Sequence, residues 1–307
     1  MTKISSQLSE FIGSLPEAEQ AQSGTPALLV GFNSSARAKI ALNSALAIGH
    51  ETGRAVRVLS ILDADASKDE ALETLSQIKE TVSLHTTVPD AVYAEVQKMS
   101  AHFDDEEYGR ARSFIEASVS FNASLIVLGI HEGDKPLSGT MTEKLLKEAI
   151  CPVLISKGQE NKNYRQAMIA VEFAPFMEQA LETLEWLAPE SEAHLVHALE
   201  DAKLKLPGAS GKKKDGDSVN AEIASLIATH RNKPGSSASG ASIDKYTTCV
   251  ERAKPVELLE QKITEIEPDL CVTGTRARTG LSKFVLGSVA TRFIDKPPCD
   301  LLVIRES

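Results

Sequence analysis

PDLCVTGTRARTGLSKFVLGSVATRFIDKPPCDLLVIRE, residues 268–306, decides the reading of this chain, because it nearly repeats ASLIVLGIHEGDKPLSGTMTEKLLKEAICPVLIS, residues 123–156. Each copy runs apolar strand, glycine, loop, Gly-Ser or Gly-Thr, helix, cysteine, apolar strand. Gly274 follows Gly129 by 145 positions. Gly287-Ser288 follows Gly139-Thr140 by 148, as Cys299 follows Cys151. The three extra residues therefore fall in the loop between the glycines, where a binding loop would vary. Internal repetition at this distance implies two copies of one domain.

Working outward, the same alternation fills the rest of the chain. Residues 27–32, ALLVGF, form a short apolar run that predicts a buried strand entering a helix at a Ser/Asn cap. Helical spacing follows over 36–52. Strands are expected at 56–62, 93–99, 125–129 and 153–156, with helices near 67–83, 105–120 and 140–149. The second half repeats the order, with strands at 167–171, 194–199, 246–250 and 270–274. Its helices are expected at 175–187, 219–230 and 255–265. Strands alternating with helices imply parallel strands joined by right-handed crossovers. The fold class is thus α/β, two tandem Rossmann-like domains with helices on both faces of each sheet. We place a polar lead-in at 1–25, one domain at 26–158 and a second at 164–307. GQENKN lies in the linker between them. Gly/Ser/Lys-rich stretches mark 200–242 as an insertion of loops around one helix. Ligands of such folds sit outside the carboxyl ends of the strands, at the topological switch point.

Composition narrows the class. The chain has 307 residues, 42 % hydrophobic and 25 % charged, as in globular domains. Its net charge of −10 disfavours nucleic acid and anionic membrane as partners. No apolar run approaches the roughly 18 residues of a membrane span, and the first residues do not read as a signal peptide. Four cysteines, at 151, 249, 271 and 299, lack metal-ligand spacing. Three of them abut strand patterns, as buried free thiols of a reducing cytoplasm would. Trp186 reads as core, and His194 and His197 as packed strand residues, with His197 or Ala198 also placed to meet a ligand at the strand's end. Gly208 to Lys214 superficially suggests a phosphate loop, but no strand precedes it.

The glycine loop carries the chemistry. After the fourth strand of the second half come Gly274-Thr275-Arg276-Ala277, nine residues, and Gly287-Ser288 opening the last helix. Gly274 lets backbone approach a ligand. Gly287 and Ser288 offer N–H groups at a helix N-terminus, which suits phosphate. Arg276 and Arg278 can add charge-assisted contacts. A tight strand-to-helix turn would use the same glycines without any ligand.

At these residues the chain resembles the universal stress protein family, whose motif is glycine, two residues, glycine, nine residues, Gly-Ser or Gly-Thr. GTRARTGLSKFVLGSV, PDLCVTG and PCDLLVI all resemble it, and the likeness covers nearly the whole chain apart from 1–25 and 200–242. The resemblance implies a tandem member with a five-stranded parallel sheet per domain. It further implies that the two domains pair as an intramolecular pseudo-dimer. In one subclass it implies an adenine nucleotide, ATP or AMP, with or without Mg²⁺, whose phosphates lie on the glycine loop. Carried onto this chain, the pocket comprises Thr273, Gly274, Thr275, Arg276, Ala277, Gly287, Ser288 and Val289, with Glu172 and Ala198 toward the nucleoside.

Departures from the motif rank the two loops. The second glycine is Ala277 in the later copy and Glu132 in the earlier one, whose spacer is six residues. The acid ending strand one corresponds to Asn33, which reads as a helix cap, and to Glu172. If position 277 needs a left-handed backbone, Ala costs roughly 1–2 kcal/mol, about tenfold in affinity. One arginine contact worth roughly 1.5–3 kcal/mol offsets that. In the earlier loop, Glu132 and Asp134 would repel phosphate. The expectation is a cytoplasmic stress-response module that binds adenine nucleotide weakly, mainly in its C-terminal domain, and acts by sensing or regulating a partner. No general base is evident, so at most slow ATP hydrolysis is expected, and no metal site. The alternative is a tandem scaffold with no cofactor that binds a protein partner or an apolar metabolite.

Overall fold

The computed structural model describes residues 26–86, 88–99, 105–129, 140–158, 163–172, 176–199, 215–233, 245–275 and 288–305. The chain divides into two compact units, Met1–Lys162 and Asn163–Ser307.

The first unit runs β1 (Ala27–Gly31), α1 (Ala36–Thr52), β2 (Val56–Leu62), α2 (Lys68–Leu84), β3 (Val92–Lys98), α3 (Glu106–Ser120), β4 (Ala123–Gly129), α4 (Met141–Glu148) and β5 (Val153–Ser156). Its strands lie in the order β3-β2-β1-β4-β5, all parallel. Leu28, Leu29, Val30, Leu125, Ile126 and Val127 are all fully buried. Such unbroken apolar runs are what a parallel sheet covered on both faces requires. The chain steps from β1 to β3 in one direction and then returns to β4. Right-handed crossovers therefore place α1 and α2 on one face and α3 and α4 on the other, and each pair is in contact. The switch point lies between β1 and β4.

Local chemistry sets the helix ends. Ser35 caps α1, its hydroxyl accepting from Ala38 N at 3.2 Å. Asn33, read as the cap, instead sits two residues earlier and accepts from Ser35 N at 3.1 Å, a turn that holds the capping serine. Ser67 and Glu70 form a reciprocal capping box on α2. Gly53, with φ 64°, closes α1 in the left-handed conformation.

The second unit runs β6 (Gln166–Ala170), α5 (Phe176–Leu187), β7 (Glu192–Ala198), α6 (Gly216–Arg231), β8 (Tyr246–Glu251), α7 (Pro255–Ile266), β9 (Leu270–Thr275), α8 (Ser288–Asp295) and β10 (Asp300–Arg305). Its order, β8-β7-β6-β9-β10, is also parallel throughout and repeats that of the first unit. Here α5 and α6 share one face and α7 and α8 the other. The stretch set apart as an insertion contains α6, the crossover helix between β7 and β8 and the counterpart of α2. Asp215 caps it, and it buries Val219, Ile223 and His230. His230 Nε2 lies 2.7 Å from Glu185 Oε1 on α5, though out of line for a hydrogen bond. Residues 200–214 and 234–244 lie outside the described residues. Trp186, expected in the core, is half-buried.

Candidate functional site

The switch point of the second unit lies between β6 and β9, so the candidate site is built at their carboxyl ends. Arg276, Ala277, Arg278 and Gly287 lie outside the described residues, as do Glu132, Asp134 and Gly139 of the earlier loop. The structure places the other residues named from the sequence.

Glu172 is half-buried just past the end of β6. Beside it, Val171 N donates to Val196 O at 2.9 Å, which carries the β6–β7 ladder beyond β6. His197 Nδ1 lies 2.9 Å from Val171 O. A carbonyl can only accept, so Nδ1 carries the hydrogen. Ala198 is half-buried at the end of β7 opposite Glu251. His194 sits nearer the amino end of β7, away from the switch point. Its Nε2 meets Gln166 Oε1 and its Nδ1 meets the Thr247 hydroxyl, each at 2.7 Å. The neutral ring is thereby satisfied at both nitrogens, and burial lowers its pKa below 6.5.

Gly274 has a packing role that the sequence did not reveal. A methyl group added there would lie 2.6 Å from Cδ1 and Cε1 of Phe176, the first residue of α5. The buried Phe176 ring thus lies against β9 on the α5 face. Gly129 plays the same part in the first unit, where an added methyl would lie 2.3 Å from the Arg37 carbonyl oxygen of α1. Both strand glycines admit the opening turn of the unit's first helix. The expected close approach of a ligand at Gly274 is therefore blocked on that face.

The opposite face differs. Side chains alternate along a strand, so Thr273 and Thr275 point to the α7/α8 side. Both are 1 % exposed. Among the described residues, the Thr275 hydroxyl is buried with no hydrogen-bond partner. Arg305, its register partner on β10, has a buried Nε in the same condition. A buried donor left unpaired costs roughly 1–3 kcal/mol, and here two occur on adjacent strands at one end of the sheet. Ser288 opens α8 and is exposed, whereas Val289 is buried at 6 %. Arg305 went unnoticed in the sequence because its pairing with Thr275 exists only once β10 is laid beside β9.

The corresponding helix end of the first unit is already filled. Thr140 caps α4, accepting from Glu143 N at 3.3 Å. Glu107 of α3 accepts from Met141 N at 2.7 Å. A carboxylate of the protein thus holds an N–H that would otherwise face an anion. Nearby, Asp105 pairs with Lys144 at 2.5 Å. Glu107 carries no motif signal, since only the packing of α3 on α4 brings it there. At the start of α7, where the second unit has Pro255-Val256-Glu257, Glu257 is engaged by Lys254 at 2.6 Å. Among the described residues, no group of three or more His, Cys, Asp or Glu could hold a metal.

A doubly wound α/β unit, repeated, with a glycine segment leading from its fourth strand to a short last helix defines the class. The universal stress protein family model matches the chain twice, over residues 26–157 and 163–305. The chain belongs to the universal stress protein family. It is 29 % identical over 178 residues to a universal stress protein E homolog of Haemophilus influenzae, covering 53 % of this chain and 55 % of that one. Over 64 residues it is 42 % identical to universal stress protein E of Salmonella typhi, covering 21 % of this chain and 20 % of the relative. These matches thus span a fifth to about half of the relatives' length. A universal stress protein from Archaeoglobus fulgidus superposes with a TM-score of 0.63 at 18 % identity, covering 93 % of this chain and all of that one. A functionally unknown protein from Pseudomonas aeruginosa superposes at 0.60 with 20 % identity, covering 92 % and 93 %. At these identities the likeness is one of fold. No helix among the described residues is long and apolar enough to cross a membrane.

Proposed function

We propose that this protein is a cytoplasmic stress-response module that binds an adenine nucleotide, ATP or AMP, in its second unit only, and acts by sensing or by regulating a partner. One contrast carries the reading. In the first unit Glu107 occupies the N-terminus of the last helix. In the second, Thr275 and Arg305 leave a buried hydroxyl and a buried guanidinium N–H unpaired at the matching end of the sheet. A phosphate oxygen would accept from both, with Ser288 and the first N–H groups of α8 completing a cradle. Arg276 would add a further charge, and Glu172 and Ala198 would lie toward the nucleoside. Bound Mg²⁺ would offset phosphate charge, and among the described residues no group of three or more His, Cys, Asp or Glu would hold it. Among the described residues we assign no general base at this site, and we expect binding rather than turnover.

The second reading, a scaffold that binds a protein partner or an apolar metabolite, is favoured by Phe176 filling the approach to Gly274. Extraction of denatured, freshly purified protein separates the two. The nucleotide reading expects co-purified adenine nucleotide, depleted at least tenfold by Arg305→Gln and unchanged by Glu107→Gln. Nucleotide absent from every preparation, with none bound on addition, favours the scaffold.

A further inference from the structure

Cys271 and Cys299 are the thiols of the second unit's last two strands. Cys271 lies on β9, and its register partner is Leu301. Cys299 precedes Leu301 by two residues, so both side chains leave the sheet on one face. Their sulfur atoms are 3.4 Å apart, with the Cys299 thiol directed at Cys271 Sγ and at the Asp300 carbonyl oxygen. Cys271 is 0 % and Cys299 4 % exposed. A disulfide needs about 2.05 Å between sulfurs, a closure of about 1.3 Å between groups already facing each other. Pro297 and Pro298 limit the backbone just before Cys299, and the Tyr164 hydroxyl donates to Asp300 Oδ2 at 2.7 Å just after it.

The first unit provides an internal control. Cys151 occupies the position of Cys299, two residues before Val153 of β5, but Val153 pairs with Ile126 where the second unit has Cys271. Burial pushes the Cys151 thiol up to about 12, and the opposing side chain offers no second sulfur.

We propose that Cys271 and Cys299 form a redox site, a dithiol that a small hydroperoxide converts to a disulfide between β9 and the segment entering β10. Cys299, the more exposed, loses its proton to solvent. Its thiolate attacks one peroxide oxygen and breaks the O–O bond, giving a sulfenic acid and hydroxide. The Cys271 sulfur then attacks Cys299 Sγ, releasing its own proton and expelling the bound oxygen as water. The sum is two thiols and hydrogen peroxide giving one disulfide and two waters. The new bond closes a loop that contains the whole segment from Gly274 to Ser288. Hydrogen bonding from Cys299 and burial both hold the Cys271 thiol well above its ordinary range. The attack of Cys271 on the sulfenic acid is therefore slow in the closed protein and quickens with rising pH. The proposal does not depend on nucleotide binding.

The test uses the full reduced chain, exposed to hydrogen peroxide, quenched by alkylation in denaturant and mapped by mass spectrometry. A parallel sample is refolded in glutathione and glutathione disulfide, so that access does not limit the reaction. The expected result is loss of two of the four thiols, a mass lower by two hydrogens, and one linked peptide pair joining Cys271 to Cys299. The link disappears in Cys299→Ser and in Cys271→Ser, while Cys151 stays alkylatable throughout. Full alkylation of both cysteines under both conditions, or a disulfide with any other pairing, overturns the proposal.

Discussion

His194 shows how a single residue ties the second unit's stability to pH. Its ring is satisfied as a neutral imidazole by Gln166 and Thr247, and burial keeps its folded pKa below 6.5. The unfolded chain therefore binds this proton more readily than the folded one. Stability from His194 is complete above about pH 6.5 and is lost as pH falls through that value toward the lower folded pKa. Urea midpoints measured from about pH 7 to pH 5 should decline, and His194→Gln should flatten part of that decline. An unchanged slope in the variant would remove His194 as its source. Asn33 and Glu107 make a second point at this scale. The sequence identified polar residues near the first helix, yet the cap fell to Ser35, because an Asn side chain bonding two residues ahead positions its neighbour to cap. Glu107 was invisible because its partner, Met141 N, lies 34 residues away.

At the scale of elements, each first crossover helix enters against the glycine of its unit's fourth strand. Gly274→Ala would press a methyl into the Phe176 ring, 2.6 Å from its nearest carbons. We expect a cost of roughly 1–3 kcal/mol for this overpacking. Phe176→Ala alone should cost roughly 3–5 kcal/mol as a cavity. Combined, the two should cost less than their sum, because the added methyl occupies vacated space. Denaturant unfolding of the four proteins measures this, and strict additivity would show that ring and strand do not meet as described. Most helices and strands were legible from sequence to within a residue or two, because buried parallel strands are unbroken apolar runs and Ser67 or Pro255 punctuate helix starts; α6 is the exception, beginning at Gly216 where 219 was expected. The role of Gly274 was not. A glycine that admits an aromatic ring from a distant helix and one that admits a ligand look alike in sequence.

Across the whole molecule, two copies of one doubly wound unit have diverged at the same place. The repeat made the architecture legible, since matching glycines and cysteines recur at nearly constant spacing. It also exposed the loss of motif glycines at Glu132 and Ala277. What it left hidden is how each unit treats the carboxyl end of its sheet beside the last helix, with Glu107 on the helix end in the first and unpaired Thr275 and Arg305 in the second. Those groups come from elements far apart in sequence, and no pattern of spacing announces them. Calorimetric titration of Mg²⁺-ATP into the full chain, beside Gly139→Glu and Gly287→Glu, tests this asymmetry most directly. We predict one nucleotide per chain, kept by Gly139→Glu and lost by Gly287→Glu. Two nucleotides per chain, none at all, or loss in Gly139→Glu alone would contradict it.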